Sequence, residues 1–222
     1  MSITESLQQI KAELPENVQL VAVSKFFPDE TILEAYRCGQ RIFGENRVQE
    51  LLPKYEHLPK DIQWHLIGHL QANKVKYITP FVNTIHSIDS LKLIETLNEE
   101  AAKCGRKIKI LLQVHIALEE HKFGFSFDEI IALGENRIFE QYPHLVFAGL
   151  MGMATFTSDE KQIRSEFERL TALFRQLKES YFSKYDDFKE LSMGMSDDYP
   201  LAVEAGSTMV RIGSKIFGSR KQ

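Results

Sequence analysis

Short apolar runs recur along the chain, and stretches with helical spacing of apolar residues separate most of them. Val-rich runs such as "LVAV" read as strands buried on both faces. Strands are predicted at 18–24, 41–44, 63–68, 82–88, 108–116 and 145–153. Two more lie within "FKELSMG" (188–194) and "TMVRIG" (208–213). Helices are predicted at 30–38, opened by Pro28-Asp29 and stopped by Gly39, and at 46–52, ended by Pro53. Further helices fall at 74–78 before Pro80, at 91–103 before Gly105, and at 127–133, 159–180 and 201–205. The opening "MSITESLQQIKAELPENV" is polar and helix-like. Eight strands alternating with helices argue a parallel sheet. Closed on itself, that is an α/β (β/α)8 TIM barrel with an extra N-terminal helix, near the lower size limit for the fold. An open doubly wound sheet is the alternative. No Pro/Gly/Ser-rich linker interrupts the pattern, so residues 1–222 form one expected domain. "GENR" occurs at 44–47 and 134–137 with different flanks, and reads as coincidence.

Composition narrows the function classes. A formal net charge of −4 over 222 residues gives no electrostatic footprint for nucleic acid. No apolar run reaches membrane-spanning length, and the start of the chain lacks the apolar centre of a signal peptide. Cys38 and Cys104 form no CxxC pair, which suits free thiols in a reducing cytoplasm.

Candidate chemistry gathers at strand ends. Lys25 follows the first strand, at the carboxyl end where parallel α/β folds bind ligands. From that stretch alone it reads as a lysine reaching to solvent over an apolar rim. Ser192 and Gly194 follow the seventh strand, and Gly213 and Ser214 the eighth. In barrels these two loops commonly build a phosphate site, although βα loops are rich in ordinary turn glycines. A short helix beginning near Ser214 would add its positive end. Arg211 shares a strand face with Met209 and Gly213 and needs an acceptor; a structural salt bridge and a ligand contact fit equally. His65 and His69 are better read as core or hydrogen-bonded histidines than as a metal pair, since Gly68 breaks the helix that such spacing needs. Asp197-Asp198 reads as helix-capping charge. Met151, Met153, Met193, Met195 and Met209 fill core, or line a flat ligand.

The runs "LVAVSK", "FGENRVQE", "WHLIGHLQANKVK", "HSIDSLKL", "GLMGMA", "LSMGMSDD" and "AGSTMVRIGSKIFGSR" together resemble the pyridoxal phosphate homeostasis protein family. They span Leu20 to Arg220 in order. The family is similar to the barrel domain of alanine racemase, the fold-type III architecture, and binds pyridoxal 5′-phosphate (PLP). The resemblance implies that Lys25 forms the Schiff base, and that Ser192, Gly213 and Ser214 hold the phosphate. Asn46 would stand near the lysine, and Arg211 would face the pyridine nitrogen. An imine needs a neutral amine, and desolvation at an apolar mouth lowers lysine from its usual pKa of about 10.4. "QVHIALEEHKFGFS" departs in detail from the family's segment, so His115, Glu119 and Lys122 receive no ligand role. The implied function is a cytoplasmic, monomeric carrier or buffer of PLP and related B6 phosphates. It would serve apo PLP-enzymes without efficient amino-acid turnover. Alanine racemase-type enzymes need a second domain, and the tail from Ile212 to Gln222 leaves no room for one. The alternatives are a small PLP-dependent racemase or decarboxylase, and a Schiff-base aldolase acting on a phosphorylated sugar.

Overall fold

A computed structural model describes residues 2–118 and 123–218. Eight parallel strands close into a barrel in chain order: β1 (Gln19–Val23), β2 (Ile42–Glu45), β3 (Gln63–Leu66), β4 (Thr84–Ile88), β5 (Ile108–Val114), β6 (Leu145–Gly152), β7 (Glu190–Ser192) and β8 (Met209–Ile212). The ring shuts where Leu20 of β1 lies opposite Val210 of β8. Outside it run α2 (Asp29–Arg37), α3 (Val48–His57), α4 (Val75–Ile78) behind a 3-10 turn (Ala72–Lys74), and α5 (Leu91–Lys103). They are followed by α6 (Phe127–Glu135), α7 (Ile138–Gln141), α8 (Glu160–Ser180), α9 (Tyr199–Glu204) and α10 (Ser214–Phe217). The extra helix, α1 (Ile3–Glu13), starts on a capping box in which Ser2 and Glu5 bond each other's backbone N–H. It buries Leu7 and Ile10 and lies against α2 and α10.

The main core lies between strands and helices. Phe43, Trp64, Leu66, Ile85, Ile110, Leu150 and Val210 point outward into it. Alternation sends the intervening residues into the barrel. That interior is unusually polar: Leu111, Ala148 and Met151 form a small separate apolar cluster, while His65, His86, Ser192 and Arg211 are all buried. Barrel interiors are ordinarily filled by branched apolar side chains.

The structure departs from the sequence pattern in two helices. Pro53 predicts an end to the helix after β2, yet α3 starts later, at Val48, and continues past the proline to His57. The proline ring lies on the exposed face, while Leu51 and Lys54 bury on the barrel side and hold the next turn in place. α7 has no counterpart among the predicted helices. It begins after Arg137 in a left-handed conformation (φ 48°) and carries Phe139 onto Phe182 at 4.2 Å between ring centroids. The two "GENR" segments stand in unlike settings, the first running from β2 into a loop and the second at the end of α6. Glu119 and Lys122 lie outside the described residues.

Candidate functional site

The carboxyl ends of the strands open onto a cavity of about 460 Å³, within the range of small-molecule sites. Its polar wall is Lys25, Asn46, Ser196, Asp197, Arg211, Gly213 and Ser214; its apolar wall includes Val23, Ile67, Met153 and Met195. Five of the six predicted site residues thus meet on one cavity.

Lys25 is half-buried on the turn after β1, and the backbone on both sides of it is gripped by α3. Ser24, fully buried, donates its hydroxyl to Glu45 Oε1 at 2.6 Å. Lys54 Nζ donates to the Ser24 carbonyl at 2.9 Å and to Glu45 Oε1 at 2.8 Å. On the other side, Phe26 N–H donates to Glu50 Oε2 at 2.9 Å. Phe26 takes the left-handed region at φ 69°, which costs a residue with a Cβ about 1–2 kcal/mol. Glu50 and Lys54 stand one helical turn apart, so a single helix face locks the segment that presents Lys25. Burial pushes the Glu45 carboxyl up, and Lys54 and Ser24 pull it part of the way back.

Asn46 is half-buried just past β2. Gly68, after β3, passes so close that a Cβ there would sit 2.3 Å from the Asn46 carbonyl oxygen. Only glycine allows that approach, and it sets where Asn46 stands.

Arg211 lies under the mouth, 4% exposed. Its Nη1 donates to Ser192 Oγ at 2.6 Å and its Nη2 to the Gly152 carbonyl at 3.0 Å. Among the described residues it makes no ion pair. Burial lowers its pKa to about 10, with Asp198 acting the other way, so it remains a cation at neutral pH.

Ser192 stands elsewhere than the sequence suggests. It is the last residue of β7, fully buried beneath the mouth and bonded to Arg211 and to His86 Nδ1 at 3.0 Å. Ser196 occupies the rim instead, accepting from Gly213 N–H at 3.3 Å. Gly194 makes this possible: at φ 94° it turns the chain back over the mouth. The second serine of "SMGMS" is the available signal, and reading it requires knowing that turn. Gly213 and Ser214 stand where β8 runs into α10.

His65 is a core histidine bonded to His86 at 2.9 Å, and His69 pairs with Asp89 at 2.9 Å. No metal-binding cluster occurs among the described residues. The methionines divide: Met151, Met193 and Met209 are buried, while Met153 and Met195 line the cavity. Asp198 precedes α9, but its carboxylate accepts from Met195 N–H at 2.5 Å rather than from the helix.

A closed parallel barrel with a clamped lysine and a buried arginine at its carboxyl mouth defines an alanine racemase-type barrel. The family described as "Alanine racemase, N-terminal domain" matches residues 2–221. A pyridoxal phosphate homeostasis protein of Vibrio alginolyticus is 38% identical, covering 99% of this chain and 98% of its own. The human protein of that name is 40% identical, covering 99% and 84%. PipY of Synechococcus elongatus, solved with PLP bound, is 37% identical with a TM-score of 0.88, covering 98% and 100%. Alanine racemase from E. faecalis, 16% identical with a TM-score of 0.72, shares the fold, and this chain spans 58% of it. The chain belongs to the alanine racemase N-terminal-domain family and, within it, to the pyridoxal phosphate homeostasis proteins.

Proposed function

We propose that this protein binds pyridoxal 5′-phosphate at the barrel mouth and acts in PLP homeostasis as a carrier or buffer, without efficient amino-acid turnover. The observation that carries the reading is a convergence on a single cavity. One lysine, two hydroxyl-bearing loops and one buried guanidinium, without an ion pair among the described residues, meet there. PLP supplies, when bound, an aldehyde carbon open to a primary amine, a ring nitrogen that accepts a hydrogen bond, and a phosphate dianion. The donor set fits those three groups. Lys25 presents the amine. Arg211, a permanent donor at neutral pH, faces an acceptor. Gly213, Ser214 and Ser196 surround the place for the anion. A Cβ on Gly213 would lie 3.1 Å from the Val23 carbonyl oxygen and 3.3 Å from Val23 Cβ, so a side chain there presses on the end of β1 beside the cradle. Ser192 is assigned to holding Arg211 rather than to the phosphate. The relatives are named for homeostasis rather than for a reaction, which supports a non-catalytic role. The protein would work as a cytoplasmic monomer that exchanges PLP and related B6 phosphates with apo PLP-enzymes.

The deciding experiment is borohydride reduction of the PLP-loaded protein, followed by peptide mass spectrometry and by incubation of unreduced protein with L-amino acids. The adduct is expected on Lys25, with racemisation, carbon dioxide and keto-acid formation no faster than with free PLP. A principal adduct on Lys74, Lys122 or Lys215, or turnover that Lys25→Ala abolishes, would overturn the respective half of the reading. Gly213→Val should weaken PLP binding about tenfold or more, the loss of at least one charge-assisted hydrogen bond to the anion. Unchanged affinity in the folded variant would move the phosphate elsewhere.

A further inference from the structure

We propose that His86 and His65 are positioning residues for Arg211: with Ser192 they form a one-way chain of hydrogen bonds through the barrel that fixes the guanidinium beneath the mouth. The inference rests on the cofactor reading only for what Arg211 faces.

The order of the chain is Arg211 Nη1 to Ser192 Oγ at 2.6 Å, Ser192 Oγ to His86 Nδ1 at 3.0 Å, and His86 Nε2 to His65 Nδ1 at 2.9 Å. Ser192 and His86 are fully buried and His65 is 3% exposed. Arginine has donors and no acceptor, so Ser192 Oγ must accept from it. The serine hydroxyl hydrogen then needs an acceptor of its own, and among the described residues His86 Nδ1 is the one within reach. That places the His86 proton on Nε2, which donates to His65 Nδ1. The His65 proton is placed on Nε2 in turn. There it borders a second cavity of about 470 Å³ at the amino ends of the strands, lined also by Gln63, Thr84 and Lys109. The reverse arrangement, with both imidazole protons on Nδ1, strands the Ser192 hydroxyl hydrogen in the interior. Every link is set by the one donor that cannot become an acceptor. Both rings are held neutral by burial, and the nearby Arg211 charge further opposes protonation of His86.

Valine and isoleucine would fill a barrel interior with no polar group to satisfy. Four linked polar groups hold the direction of the guanidinium, which apolar packing does not. The mouth then receives Arg211 with its remaining N–H donors already aimed.

The test has two arms. Nitrogen-15 NMR of the protein without PLP at pH 7.5 should find both rings neutral with the proton on Nε2; a proton on Nδ1 of either ring would overturn the chain. In the second arm, His86→Phe should weaken PLP binding about tenfold, one hydrogen bond's worth of orientation, and shift the absorbance band of the bound cofactor. His86→Asn, which keeps a side-chain acceptor near the Nδ1 position, should recover most of that loss. Wild-type affinity and spectrum in a folded His86→Phe protein would sink the proposal. Should that variant not fold, Ser192→Ala is measured in its place, and wild-type affinity and spectrum there would equally sink it. Absence of PLP binding by the wild type would fall on the cofactor reading, and the NMR arm would still decide this one.

Discussion

Lys54→Met is expected to cost about 3–5 kcal/mol of folding stability, the usual consequence of leaving one partner of a buried ion pair behind. Glu45 is fully buried, and its Oε2 has no hydrogen-bond partner among the described residues, so Oε1 carries the pairing seen there. Lys54 and Ser24 supply that pairing. Without Lys54, Glu45 must either stay charged in the interior or take up a proton there, and both are unfavourable. The Ser24 carbonyl loses one of its two donors in the same stroke, keeping only Phe27 N–H, so the turn bearing Lys25 loosens. Denaturant unfolding measures the first effect, and the rate of borohydride-trapped PLP incorporation measures the second. The double variant Glu45→Gln/Lys54→Met should regain most of the stability, because no charge is then stranded. A Lys54→Met protein within about 1 kcal/mol of wild type would show that the pair does not hold this turn.

Acidification is expected to destabilise the protein through two buried histidines, before the exposed carboxylates titrate. His65 has a folded pKa of about 3 and His86 one well below the usual value, both chiefly through burial. In the unfolded chain each titrates near 6.5. Between the folded and unfolded values the unfolded state binds more protons, so stability falls as pH drops through 6.5 and is fully present only above it. From pH 7.5 to 5.5 His65 contributes a loss of roughly 1 kcal/mol, and His86 acts in the same direction. Glu45 and Asp198, whose pKa values are raised by burial, act in the opposite sense. A difference measurement separates them. His65→Gln should lose roughly 1 kcal/mol less than wild type over the same pH interval in urea unfolding. Equal losses would mean that His65 is not a buried neutral group.

Much of the fold is legible in the sequence because it follows from local pattern. Short apolar runs between amphipathic stretches mark the eight strands, and Leu91–Lys103 matches at both ends. Lys25, Asn46, Arg211, Gly213 and Ser214 are legible as a set through family resemblance, since each sits directly at or beside a strand end. Ser196 is not, because its place on the rim depends on the left-handed turn at Gly194. Pro53 misleads because helix-breaking is a local tendency, whereas Lys54 is held from outside the helix by Glu45 and Ser24.

The sequence alone determined the alternation of strand and helix, the lysine at the end of β1, and the glycine–hydroxyl loops after β7 and β8. These are properties of residues near one another in the chain. Tertiary structure alone decided that Ser192 serves Arg211, that α3 clamps Lys25, and that two histidines carry a hydrogen-bond chain through the barrel. His86 and Ser192 are 106 positions apart, and Phe26 and Glu50 are 24 apart. Whether such groups meet is settled by closure of the barrel, which brings residues of the same depth on different strands to one layer. No local periodicity encodes that depth.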